Sequence, residues 1–164
     1  MINNKLTLTI ILFILTFQLF GQKPKTIESI RKELVSETDR DKIMKDYYNL
    51  AKLFVLTDFD SAGIYYQKAL SLAKDQKNKK LTAEIYLNIS KLFSKKSEFT
   101  EAEQNCTNAI ELAQEIKDDT LNITANLTLA KIKISGNNYI DVLPILEKSL
   151  KNAEKVQDSL LISD

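Results

Sequence analysis

Apolar residues recur along this chain in a block that is written three times. Residues 47–54 read YYNLAKLF, residues 86–93 read YLNISKLF, and a weaker copy, NLTLAKIK, occupies 126–133. Successive copies begin 39 and 40 residues apart. A second apolar set follows each copy: Phe59, Ala62, Tyr66, Ala69; then Phe99, Ala102, Cys106, Ala109; then Tyr139, Val142, Leu146, Ser149, each set 40 residues after the last. Inside a set the spacings are three and four, which lines one face of a helix. Two such helices per period predict a stack of hairpins, each burying its apolar face against the next. The expected fold is all-α, an α-solenoid of antiparallel helical hairpins.

The segments between these blocks divide the chain. Residues 26–37 place Ile27, Ile30 and Leu34 on one stripe, so region 22–41 is expected to hold an unpaired lead-in helix. Three repeats then fall at about 42–77, 78–117 and 118–157, and residues 158–164 match the opening of a fourth. Thr38 with Asp41, and Thr57 with Asp60, have the spacing that satisfies the free amides of a first helical turn. Asn78 is expected to cap the next helix, and Asp118 with Asp119 suits the positive end of the one after. Gly136 takes the position that ends a helix. Pro144 falls in the second turn of a helix expected over 139–157, and predicts a kink or a late start there.

The N-terminus has a different character. After a weakly basic start, residues 6–20 read LTLTIILFILTFQLF and are followed at once by Gln22-Lys23-Pro24-Lys25. Fifteen mostly apolar residues suit the core of a secretory signal peptide and fall short of the roughly 20 that span a bilayer. Residues 1–21 are therefore expected to be a signal segment. The mature chain would be periplasmic or secreted, or tethered if the segment is not cleaved.

Composition narrows the function. Lys and Arg total 23 against 22 Asp and Glu, a net charge of +1, which gives no general electrostatic case for nucleic acid or an anionic membrane surface. The chain has no His and one Cys. Cys106 thus has no histidine to activate it and no second cysteine for a disulfide or a zinc site. No Gly-rich phosphate loop is present. No catalytic, cofactor-binding or metal residues are expected, and no cofactor.

The repeated blocks have a steric logic. Leu50, Ala51, Phe54 and Ile89, Ser90, Phe93 set a small residue between larger ones, so that a second helix approaches closely. Ala62, Ala69, Ala102 and Ala109 do the same from the second helix. This pattern closely resembles the tetratricopeptide repeat: large-small-x-x-aromatic on a helix A, then aromatic, Ala, aromatic, Ala on a helix B. The period of 40 departs from the usual 34 or so of that family, and the pattern weakens in the third copy.

The resemblance implies a concave surface lined by the A helices and a protein or peptide partner, with no nucleic acid and no membrane contact beyond the N-terminal segment. Asn49 and Asn88 share one register with Thr128, and by resemblance are candidate ligands for the backbone of an extended peptide. Lys52, Lys91 and Lys131 form a second row, suited to acidic side chains or a terminal carboxylate. Tyr48, Leu87 and Leu127 form a third, suited to apolar pockets. Chains of this appearance also form the extracytoplasmic sensor part of membrane-spanning bacterial histidine kinases and transcriptional regulators, and that is the alternative role.

Overall fold

The computed structural model describes residues 26–162, and the side chains of 26–157. The expected signal segment, residues 1–21, lies outside the described residues. Seven α-helices follow one another, with no strand among the described residues: α1 (Ile27–Ser36), α2 (Arg40–Phe54), α3 (Phe59–Asp75), α4 (Lys79–Lys95), α5 (Phe99–Glu115), α6 (Asp119–Ser135) and α7 (Val142–Ile162). No helix among these is long and apolar enough to cross a membrane. Two compact units are distinguished, residues 1–35 and 36–164. Helix α1, nearly all of it in the first, opens with a reciprocal cap: the Thr26 amide donates to Ser29 Oγ at 3.0 Å and the Ser29 amide to Thr26 Oγ1 at 3.2 Å.

The second unit is an all-α solenoid. Helices α2 and α3, α4 and α5, and α6 and α7 pack as consecutive hairpins, while α3 packs on α4 and α5 on α6. Helices α4 and α6, the first helices of neighbouring hairpins, also touch. Small residues make the close approaches. Ala51, Ala62, Ala69, Ala102 and Ala109 are all fully buried, as is Cys106 among them. Ser149 keeps the alanine position in the third hairpin and is buried, its hydroxyl donating to the Ile145 carbonyl at 2.8 Å.

Helix starts differ in detail from the sequence expectation. Asp39 and Asp58, rather than Thr38 and Thr57, are the caps: each carboxylate accepts amides of its first turn, Asp41 and Lys42 in one case, Asp60 and Ser61 in the other. A carboxylate one residue later reaches the same amides and adds its charge to the positive helix end. Asn78 and Asp118 cap as expected, accepting from Leu81 at 3.1 Å and Leu121 at 2.9 Å.

Helix ends follow a rule of their own. Lys77, Ser97, Lys117 and Asn137 adopt φ of 55°, 63°, 56° and 59°, one at every twentieth position. Each is followed by a residue whose amide bonds a carbonyl five residues back, as from Asn78 to Ala73 and from Asp118 to Ala113, both at 2.9 Å. This closes the end of the helix and sets the reversal. Gly136 is not the left-handed residue of its turn. Its φ is −84°, and Asn137 beside it turns the chain. A Cβ there would lie 3.2 Å from the Phe99 ring, so a larger residue would push the ring aside by a few tenths of an ångström. Pro144 has the expected effect: α7 starts late, at Val142, so that proline stands in the first turn where its missing amide costs nothing. Helix α7 then runs unbroken to Ile162, past the boundary expected near 157.

Candidate functional site

Because α4 and α6 lie side by side, the rows of their exposed faces come together. Lys91, Ser94 and Lys95 of α4 face Thr124, Leu127, Thr128 and Lys131 of α6 across an open groove of about 450 Å³, with Ile132 at its floor. Four of the expected site residues meet here: Lys91, Leu127, Thr128 and Lys131. Ser94, Lys95 and Thr124 were not singled out from sequence. The signal was present, since Lys95 stands one turn after Lys91 and Thr124 one turn before Thr128.

Three lysines and no acidic residue line the groove, and the Lys95 ammonium turns to the Phe59 ring of α3 at 5.9 Å. Desolvation lowers the Lys91 ammonium below the usual lysine value, and Lys131 pushes it the same way. Two like charges held close without a counter-charge favour an anionic neighbour. The hydroxyls of Thr124 and Thr128 donate to the carbonyls of Thr120 and Thr124, both at 2.8 Å, so they present oxygen lone pairs and methyl groups. Leu127 is 41% exposed, an apolar surface between the charges.

The remaining expected residues, on α2 and on α4, behave differently. The Asn88 amide nitrogen donates to Tyr48 Oη at 2.8 Å and to the Glu84 carbonyl at 3.0 Å. Asn88 and Tyr48 thus tie α4 to α2, and only the amide oxygen of Asn88 stays available to a ligand. Burial pushes the Tyr48 hydroxyl above its ordinary value, with Glu84 adding to it. Its ring lies 6.1 Å from that of Tyr66 and carries the Lys52 ammonium at 4.5 Å. Asn49 is half-buried beside them. Leu87 departs from its row. It is 4% exposed and packed with Ala102, Cys106 and Ala109, so it serves the core and lines no pocket.

Several lysines elsewhere are matched within the chain. Of the lysines clustered at the turn after α3, Lys79 pairs with Glu115, Lys80 with Asp118 at 2.9 Å, and Lys74 lies over the Tyr86 ring at 5.1 Å. Cys106 is buried and its thiol, which donates to the Ala125 carbonyl at 3.1 Å, is pushed up to about 11 by desolvation. A thiol so protonated is a poor nucleophile.

Hairpins of small-residue contacts, stacked in register with an open face on their first helices, define a tetratricopeptide-type repeat protein, a class that generally serves as a non-catalytic scaffold for protein–protein interaction. The chain belongs to the SusR N-terminal TPR domain family, whose model matches residues 18–110. No curated protein matches it in sequence. Among solved structures it is similar to BtubC (BKLC) from P. vanneervenii, with a TM-score of 0.74 and 16% identity over 86% of this chain. The match covers 60% of that protein, so the chain spans less than two thirds of its neighbour's length. At this identity the likeness is one of fold.

Proposed function

We propose that the protein is a non-enzymatic scaffold that holds an extended, acidic segment of a partner protein along its A-helix face. The observation that carries this is the groove between α4 and α6, where Lys91 and Lys131 accompany exposed Leu127 and no acid lines the walls. Tyr48, Asn49, Lys52 and the free oxygen of Asn88 extend the same face toward α2. The apolar run at 6–20 supports export, so the partner is sought in the periplasm or outside the cell. A second reading is favoured by the family itself. Its name makes it an N-terminal domain of SusR, and an N-terminal repeat array suits the extracytoplasmic input region of a membrane-spanning regulator or histidine kinase. The two readings share one surface and differ in what is joined to it.

A labelled extended peptide of alternating Asp and Leu tests the groove. The variant Lys91→Glu/Lys131→Glu is expected to bind it about tenfold more weakly than the parent, each exposed charge pair contributing up to about 1 kcal/mol. Added salt is expected to narrow the difference by screening. Equal binding by parent and variant, or equal binding of a Lys-Leu peptide, contradicts the proposal.

A further inference from the structure

The junction of α3 with α4 and the junction of α5 with α6 are equivalent, 40 residues apart, yet they are finished differently. At the second, Glu103 of α5 bridges to Lys133 of α6 at 3.1 Å. At the first, the same two positions hold Gly63 and Phe93, which make no such bridge. An open cleft of about 630 Å³ lies there between the helices. Buried Ile89 and Leu92 of α4 form its floor, and Phe59 and Ile64 of α3, 36% and 57% exposed, stand beside it. A Cβ at Gly63 would meet Leu92 at 3.8 Å, an ordinary contact, so a side chain fits at that position and none is present.

Charges around the cleft are already answered by the chain. Lys96 donates to Asp60 at 2.6 Å. The Lys68 ammonium lies over the Tyr47 and Tyr65 rings at 5.3 and 5.5 Å, and that of Lys95 over Phe59 at 5.9 Å. What remains unmatched is apolar surface, and an ion set on it would lose water without gaining a partner. The cleft follows α3 from Phe59 to Lys68, about 13 Å of helix. A strip that short cannot supply the roughly 800 Å² a side of a standard protein interface. Its volume falls instead within the roughly 300–1,000 Å³ of small-molecule sites. Both helices lie inside the array, α3 packed on α2 and α4 on α5, so a further repeat would stack elsewhere and leave the cleft open.

We propose that this cleft is a binding site for a small, uncharged, apolar molecule about as long as three fused rings. Gly63 admits it, and Phe59, Ile64 and Phe93 hold it by apolar contact over Ile89 and Leu92. The site stands apart from the groove between α4 and α6 and does not rest on the acidic-segment reading.

The probe is 1-aminoanthracene, uncharged at neutral pH, whose fluorescence rises in apolar surroundings. Saturable binding to the purified protein is expected, weakened at least ~tenfold by Gly63→Leu, which fills the cleft from α3. Ile140→Ser, at an exposed apolar residue away from the cleft, should leave it unchanged. Replacing a mid-helix glycine favours the helix, so Gly63→Leu should melt no lower than the parent, which separates a filled site from a lost fold. The anionic 9-anthracenecarboxylate and the cationic 9-(aminomethyl)anthracene should each bind at least ~tenfold more weakly, and added salt should not weaken the neutral probe. Four results each overturn the proposal: no saturable binding by the folded parent, equal binding by Gly63→Leu, binding of either ion as tight as that of the neutral probe, or binding only after residues 1–21 are removed. The last would make the chain's own apolar run the occupant.

Discussion

Asn88 stands at the junction of packing and recognition. Its amide nitrogen is spent on Tyr48 and on the Glu84 carbonyl, so the side chain holds α2 to α4 before any partner arrives. Asn88→Ala is therefore expected to destabilise the fold by about 1 kcal/mol, the usual net worth of such bonds, and to lower the melting temperature measurably. An unchanged melting temperature would mean that the Tyr48 bond contributes nothing in solution. The sequence placed Asn49, Asn88 and Thr128 in one register and Tyr48, Leu87 and Leu127 in another, and both rows fall on the A helices. Depth was not legible. A repeat reports which turn of which helix a residue occupies, and it does not report that Leu87 sinks into the core while Leu127 remains exposed. Nor could it show that Tyr48 and Asn88, forty positions apart, would spend their polar atoms on each other.

At the scale of the elements, the hairpins rest on alanines. Ala109 is fully buried among Ala102, Cys106 and Ala113, whereas Gln114, five residues on, faces water. Ala109→Asp is expected to cost several kcal/mol, since the carboxylate is too large for the gap and has no partner there; Gln114→Asp should cost about 0.5 kcal/mol or less. Thermal denaturation of both variants decides it, and equal melting temperatures would contradict the register. Helix positions were legible because small and large residues alternate with helical spacing. The ends were less so. Lys77, Ser97 and Lys117 take left-handed backbone at the turns, and neither lysine nor serine advertises it. Gly136 did draw attention, for the wrong reason: its lack of a side chain makes room for Phe99.

For the whole molecule, the period together with the helical spacing inside it was enough for the architecture, because repeats that contact only their neighbours have little freedom to arrange themselves otherwise. The candidate site needed more than the period. It forms where two A helices approach, and the approach of α4 to α6 brings Lys91 and Lys131 across from each other while Lys52 is drawn over Tyr48 instead. A partner lying along the A-helix face is the proposal on which the rest depends. Site-specific photo-crosslinking in the native host tests it most directly, with the photoreactive residue placed at Leu127 in the groove or at Gln104, exposed on the B helix α5. A discrete adduct is expected from Leu127, lost in the Lys91→Glu/Lys131→Glu background, and none from Gln104. Adducts from Gln104 alone, or equally from both positions, would contradict it.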